Sequence, residues 1–583
     1  MGKYNIQTSF IIQKNNLVMV KIFLFFSIFQ FVLSCEQIYQ EPIPLEDLNI
    51  SIQEKVRRSL DTDYLLELGI DTSARKLLID FYEKNGYEPK WINDTTLTKE
   101  GIELKNLFRK KIQFGIPDSR YSFFKFQNTN YLQDELIITT TLAYLVSDLK
   151  NGFINEKRIQ LKPLNLVSME VLEKSIQFDS SSLSQQILDF GPSDSNYQEL
   201  ANGLLKFCNK YPIDTNTYQL KVSNKTPLLV EKTTREALWS KGYIANQDVD
   251  SSTYVSALKL FQLQSGLIAD GIIGSATIGS LNESTAHKLY RAALCLEKWR
   301  WKNEYPKKYI KINIPEYLLR FYMNDSLKSE HRIIVGQPIT PTPELVAKIH
   351  QLVVYPYWNV PYSIASTEIL TNAKKNVNYF SKNDFKIYKN GVQINPRSVR
   401  WYKIKKNNFP YDVRQEYGQK NSLGILKFEF HNHYGVYIHD TPSKNLFNKE
   451  IRAFSHGCMR CERPIELAKL ILENDSIGKK GNKFTPTSLD SLIELKKNFF
   501  VPIRYPVPLF VEYKTVTVID SILKFHLDIY GRDEKYIRLM EDSNLIFCRV
   551  RACILPANKF KSNIITSKPF CKRSWSFFQF DIV

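Results

Sequence analysis

The residues best suited to do chemistry crowd into one stretch, His439-Asp-Thr441 followed by Ser455-His-Gly-Cys-Met-Arg460, which brings together a thiol, two imidazoles, a glycine and a guanidinium. A thiolate, rather than a thiol, is the nucleophile, and an ordinary cysteine titrates near ~8.5, so a reactive Cys458 needs a base or a cationic neighbourhood. Both are within reach along the chain. Tyr434-Gly-Val-Tyr-Ile-His439 reads as a short β-branched and aromatic strand, and strand alternation sends Tyr437 and His439 to the same side. Gly457, just before Cys458, predicts a tight backbone approach whose amides are free to hold an oxyanion.

Four chemistries compete for these residues. His439, His456, Cys458 and Cys461 are possible zinc ligands, and Cys458-Met-Arg-Cys461 has the C-x-x-C spacing, but no second C-x-x-C accompanies it. The zinc-deaminase pattern asks for His-x-Glu and Pro-Cys where this chain has His439-Asp-Thr and Gly457-Cys458. A thioredoxin-like redox pair belongs at the start of a helix in a βαβ unit, and these surroundings are β-rich. A structural thiol beside a satisfied core histidine is the third reading. The fourth is acyl transfer, with Cys458 attacking and His439 taking its proton.

The elements that must position this stretch are strands. Tyr309-Ile-Lys-Ile-Asn-Ile314, Tyr317-Leu-Leu-Arg-Phe-Tyr322, Arg332-Ile-Ile-Val-Gly336 and Ile349-His-Gln-Leu-Val-Val-Tyr355 alternate with period two, and Gly424-Ile-Leu-Lys-Phe-Glu-Phe430 leads into the site. A helix follows from Pro464, then late strands at 507–513 and 515–520, the latter forming a hairpin with 523–530. Residues 362–420 read as a helical and loop-like insertion capping the sheet, where a flap can exclude water. The N-terminal part, 61–230, is helical by its i, i+3/i+4, i+7 apolar spacing, has no histidine, and places its carboxylates on polar faces; a scaffold is the role expected of it.

Size and charge set the frame. At 583 residues, the chain divides into roughly three to five domains at ~100–200 residues each. Its net charge of +19 favours an anionic partner, yet no basic stripe with interleaved aromatics supports nucleic acid. Lys21 precedes the apolar run 22–33, too short to span a bilayer as a mature helix and laid out like a secretory signal. Met19 is an alternative start. Export to the cell envelope follows from this segment. The eight cysteines are scattered, with only 458/461 and 548/553 close together, and Cys208 and Cys295 sit in apolar helical patterns as small buried hydrophobes.

Three resemblances sharpen the picture. Val32-Leu-Ser-Cys35 resembles a bacterial lipoprotein box, which makes Cys35 a lipidation candidate. Within 231–285, Ala257-Leu-x-x-Phe-Gln262, Gly266-Leu267, Asp270-Gly-x-x-Gly274 and Thr277 look like the three-helix peptidoglycan-binding module of cell-wall enzymes. Tyr437-Ile-His-Asp-Thr-Pro442 and Arg452-Ala-Phe-Ser-His-Gly-Cys-Met-Arg460 closely resemble the active-site signature of the L,D-transpeptidases, and Tyr355-Pro-Tyr-Trp-Asn-Val-Pro-Tyr-Ser-Ile-Ala365 and Ile333-Ile-Val-Gly336 extend the likeness to the long, three-module branch. The expected organisation is a signal or lipoprotein segment (1–35), a tether (36–60), an α-helical scaffold (61–230), the peptidoglycan-binding module (231–285), a β-rich catalytic domain (286–540, insertion about 362–420) and a tail of unassigned role (541–583).

The resemblance implies a site and a reaction. Cys458 is the nucleophile, His439 the proton acceptor and donor, and Gly457 part of the oxyanion loop. Tyr437 and Trp358 line the site, and Ser455, His456 and Arg460 support it, Arg460 by fixing the loop or meeting a substrate carboxylate. A backbone carbonyl, rather than Asp440, is expected to orient His439. The substrates are peptidoglycan stem peptides, a tetrapeptide donor and a diamino-acid acceptor, joined 3→3 through a thioester with no cofactor and no metal. Hydrolysis alone, or wall binding without catalysis, are the rival outcomes. Cys461 stands where the family has an apolar residue and leaves open an oxidative lock with Cys458.

Overall fold

The computed structural model describes residues 50–541, apart from 94, 122–125, 127–129, 178–182, 222–226, 302–304, 476–482 and 521. The apolar run 22–33, Cys35, residues 36–49 of the tether, Cys548, Cys553, Cys571 and residues 542–583 of the tail lie outside the described residues.

Nine strands build the sheet that carries the site: β1 (Lys308–Asn313), β2 (Leu318–Met323), β3 (Ser326–Gly336), β4 (Leu345–Val354), β5 (Leu426–Phe430), β6 (Ile438–His439), β7 (Ala453–Ser455), β8 (Met459–Cys461) and β9 (Phe499–Glu512). Their order is β7-β3-β8-β6-β5-β4-β9-β1-β2, and β2 also pairs with β3, so the sheet closes on itself. Most pairs are antiparallel, but β6 with β8, β7 with β3 and β9 with β1 run parallel. The strands are β-branched and aromatic, and one face is apolar: Leu426, Phe428, Ile438, Met459, Leu352 and Val501 are fully or almost fully buried in one core with the helix Pro464–Asp475. The strand expected over 434–439 is shorter, because only Ile438 and His439 pair with neighbours.

The insertion holds more than helix and loop. Short helical turns between Tyr362 and Lys382 pack on an antiparallel four-stranded sheet, ordered Val392–Ile394, Phe385–Lys389, Asp412–Gln415, Trp358–Val360. It has its own core of Ile364, Ile369, Phe380, Ile387, Trp401 and Val413.

In the scaffold region, the long helix Tyr131–Asn151 is buried on every side, because other helices surround it. This corrects the expectation that the carboxylates there lie on polar faces. Glu135 is fully buried and accepts from the Tyr82 hydroxyl (2.6 Å) and the Lys90 and Trp91 amides (2.8 Å each), Asp134 pairs with Lys105 (2.5 Å), and Asp148 pairs with Arg120 (2.8 Å). Each buried charge has partners, which is the condition for tolerating it.

The segment 231–285 contributes three helices, Pro227–Ser240, Ser251–Gln264 and Ser275–Asn282, around Leu238, Leu258, Phe261 and Leu281. Asp250 caps the second helix by accepting from the Ser252 and Thr253 amides at 2.9 and 3.0 Å. The motif residues have structural duties. Gln262 is buried, donates to Asp270 (3.0 Å) and the Ile272 carbonyl (2.9 Å), and accepts from the Gly271 amide (2.8 Å), pinning the Asp270-Gly271 turn.

The helix Thr285–Arg300, expected at the head of the catalytic domain, packs instead with the scaffold helices. Leu289, Ala292, Cys295 and Leu296 share a core with Leu142, Val146 and Leu204, and with Val516, Leu523 and Phe525 of the late hairpin. The late hairpin therefore returns to the helical region that precedes the sheet.

Candidate active site

Register places the reactive residues. In the parallel pair β6/β8, Ile438 faces Met459 and His439 faces Arg460, while across β5/β6 Lys427 faces His439. His439 thus sits between two cations on neighbouring strands. One residue earlier in the same register, Tyr437 stands opposite Cys458, and the Met459 amide donates to the Tyr437 carbonyl at 3.0 Å. Alternation sends Lys427, Tyr437, His439, Cys458 and Arg460 to one face, while Leu426, Ile438, Met459 and Cys461 enter the core. The Tyr437 and His439 rings meet edge-on with centroids 5.6 Å apart, and the Lys427 ammonium lies 4.3 Å from the Tyr437 ring centre.

His439 is held by backbone, as expected. Its Nδ1 lies 2.5 Å from the Asp440 carbonyl oxygen; a carbonyl only accepts, so Nδ1 carries the proton and Nε2 is left as the basic nitrogen. Burial is the main force lowering the imidazole, to about 3, with the Arg460 charge adding to it and Lys427 contributing less. The Asp440 carboxylate faces elsewhere, accepting from the Ile425 amide (3.0 Å) and pairing with Lys444. Burial raises the Cys458 thiol, opposed by hydrogen bonds from the Tyr437 backbone and hydroxyl and by the charges of Lys427 and Arg460. At neutral pH the resting pair is thiol and neutral imidazole.

The loop carrying Cys458 is fixed on both sides. Gly457 has φ of +104°, a conformation that suits glycine, and its carbonyl accepts from the Thr342 hydroxyl at 2.9 Å. Thr342 also accepts from the Gly336 amide (2.9 Å), and the Tyr530 hydroxyl donates to the Gly336 carbonyl (2.6 Å). Ser455 Oγ donates to the Cys458 carbonyl at 2.5 Å. His456 Nε2 reaches out of the sheet to Glu368 Oε1 of the insertion, 3.0 Å away. Trp358 joins the insertion core beside Phe385 and also hydrogen-bonds the Tyr437 side chain. Arg460 is partly buried, and its Nε has no hydrogen-bond partner. Tyr437 and Ser455 thus touch Cys458 directly, Trp358 reaches it through Tyr437, His439 and Arg460 share its sheet face, and His456 turns away to the insertion.

Cys461 departs from expectation. It is fully buried in the core, where desolvation pushes its thiol to about 12, and it is free, as is Cys458. Three extended residues advance about 10 Å and place positions i and i+3 on opposite faces, whereas a disulfide needs Cα atoms roughly 4.4–6.8 Å apart. The oxidative lock is thus geometrically excluded in this fold. The same orientation removes Cys461 from any metal set with His439.

Five residues at the site were not singled out from sequence: Lys427, Glu368, Thr342, Tyr530 and Gly424. Lys427 had a signal, since it alternates with Leu426 and Phe428 on a strand beside the site. The other four reach it through tertiary contacts alone.

Residues 307–482 match the family model of the L,D-transpeptidase catalytic domain, and residues 76–204 match that of a scaffold domain. The chain carries an L,D-transpeptidase catalytic domain behind a helical scaffold domain. A curated protein of Haemophilus influenzae, described as a candidate L,D-transpeptidase, is 35% identical over 225 residues, covering 38% of this chain and 44% of its own length. The match thus spans less than half of that relative. Among solved structures, the L,D-transpeptidase of Stackebrandtia nassauensis is 13% identical (52% of this chain, 97% of that one, TM-score 0.18). The catalytic domain of an E. faecium L,D-transpeptidase is 14% identical (36% and 100%, TM-score 0.15). At such scores these two likenesses carry no argument about the site.

Proposed function

We propose that this protein is an exported peptidoglycan L,D-transpeptidase that forms 3→3 cross-links through a Cys458 thioester. The observation that carries the reading is the alignment of Cys458, Tyr437 and His439 on one sheet face, with Nδ1 of His439 held by the Asp440 carbonyl. His439 Nε2 takes the thiol proton as the sulfur attacks the carbonyl between the third and fourth residues of a donor tetrapeptide. Backbone amides at Gly457 and Cys458 hold the oxyanion. The C–N bond breaks, D-alanine leaves with the proton returned by His439, and the acyl group stays on sulfur. The side-chain amine of a second stem then attacks the thioester; the C–N bond forms, the C–S bond breaks, and the thiol is restored.

The three-helix module is read as binding the glycan polymer, and the N-terminal segment as directing export, with Cys35 lipidated in the envelope. Globomycin-sensitive processing of the precursor tests the last point. For the reaction, the purified protein is incubated with disaccharide tetrapeptides and the products are separated and weighed. Cross-linked dimers with released D-alanine are expected, and none from Cys458→Ala. Tripeptides without dimers would replace the reading by a carboxypeptidase, and unchanged muropeptides would replace it by a wall-binding protein.

A further inference from the structure

We propose that Glu368 is the residue that receives the cationic amine of the acceptor stem, an inference that rests on the transpeptidase reading above. Glu368 lies in the π-helical turn Ala365–Ile369 of the insertion, a backbone form that is rare and concentrated at functional sites. Its carboxylate reaches across to His456 Nε2 at 3.0 Å, two residues before Cys458, while its side chain stays 55% exposed. The Arg460 guanidinium is within electrostatic reach of both the Cys458 sulfur and the Glu368 carboxylate.

The other carboxylates near the site are committed. Glu429 pairs with Lys427 at 2.7 Å, and Asp440 is buried against the Ile425 amide and Lys444. Glu368 is the most exposed of these three acids, and the His456 it meets is two residues from the nucleophile. The two halves of the reaction need opposite charges. The donor stem is anionic and suits Lys427 and Arg460, whereas the acceptor nucleophile is a primary amine that arrives as an ammonium. An ammonium can exchange places with His456 at the Glu368 carboxylate, where both sides of the new contact are charged. It gives one proton to solvent there, and the free amine attacks the thioester carbonyl. The C–N bond forms as C–S breaks, and the amine's second proton passes through His439 to the leaving sulfur.

The test compares wild type, Glu368→Gln and Glu368→Asp in three measurements: Cys458 acylation by the tetrapeptide donor, followed by intact mass; acceptor KM in dimer formation; and thioester cleavage by hydroxylamine, a nucleophile that is neutral at pH 7. Glu368→Gln is expected to acylate and to react with hydroxylamine within about twofold of wild type, but to raise acceptor KM about tenfold or more and shift products from dimers to hydrolysed tripeptides. Glu368→Asp should restore part of the acceptor affinity. Equal losses of acylation and hydroxylamine cleavage would show that Glu368 only holds the insertion in place, and an unchanged acceptor KM would likewise overturn the proposal. A wild type that never acylates contradicts the parent reading instead, an outcome visible before any acceptor is added.

Discussion

His439 occupies an unusual electrostatic position for a base, buried and flanked by Arg460 and Lys427 on adjoining strands. Its neutral form is strongly favoured, and the Cys458 thiol is raised rather than lowered. In the proposed reaction the thiol accordingly gives its proton to His439 as bond formation to the substrate proceeds, instead of resting as a thiolate. Alkylation of Cys458 by iodoacetamide should accordingly climb with pH beyond the ordinary thiol range of ~8.5, with no plateau between pH 4 and 7. The Tyr437 hydroxyl pulls the thiol downward, so in Tyr437→Phe the same curve should move to higher pH. An unmoved or downward-shifted curve would contradict that role. His439→Gln should lower the rate of acylation by about 10²–10⁴-fold, the usual range for a positioned general base, with donor binding little changed. Cys458, His439, Tyr437 and Gly457 were legible in the sequence because strand period, residue chemistry and a short signature converge there. A backbone orienter was anticipated because alternation turns the Asp440 side chain away; that it is the carbonyl of Asp440 itself was not. The oxidative lock left open between Cys458 and Cys461 is closed by the fold, since C-x-x-C spacing on a strand separates the two thiols rather than joining them.

Among the elements, the strand beginning at Leu426 depends on a close approach. Gly424 has φ of +62°, and a Cβ built there would collide with the Asp440 carboxylate. Gly424→Ala combines left-handed strain with displacement of Asp440, whose own carbonyl orients His439. It is expected to destabilise the domain by roughly 2–4 kcal/mol and to reduce acylation, read as a lower urea midpoint and a slower adduct rate. The insertion meets the site through Trp358 and Glu368, one from its sheet and one from its helical turns. Its existence was legible as a change of composition between two strand runs. Its four-stranded sheet was not, because Trp358–Val360 and Val392–Ile394 are three residues each and too short for a period to register. The scaffold helices were legible by spacing, but the buried Glu135 and Asp148 were not, since no local pattern announces that helices will cover all sides of Tyr131–Asn151.

For the molecule as a whole, the helix Thr285–Arg300 is the beam that joins the parts. Arg291 Nη1 donates to both carboxylate oxygens of Glu283 (2.9 and 2.8 Å), Glu297 accepts from the Phe153 and Ile154 amides (2.7 Å each), and Lys298 pairs with Asp533 (2.6 Å) in a buried contact. Asp533→Ala strands the Lys298 charge and should cost about 3–5 kcal/mol of stability, measured by denaturant unfolding. Buried histidines add a pH dependence. His331 and His526 are held at about 4 and His439 at about 3, chiefly by burial. In the unfolded chain they bind protons near ~6.5, so between pH 6.5 and 4 the unfolded state holds more protons. Stability is fully present above pH 6.5 and falls as pH drops, by up to about 1.4 kcal/mol per pH unit for each histidine. A lower unfolding midpoint at pH 5 than at pH 7, with a smaller difference in His526→Gln, is expected. The return of the late hairpin to the scaffold was beyond sequence reading, because nothing in Val516–Ile519 or Ile522–Phe525 names its distant partner. The most direct test of the account is the mass of the intact protein after brief exposure to disaccharide tetrapeptide. A single adduct equal to the donor less D-alanine, mapped to Cys458 and lost in Cys458→Ala, is the predicted result. An adduct that persists in Cys458→Ala, or cross-linked product formed by that variant, would contradict it.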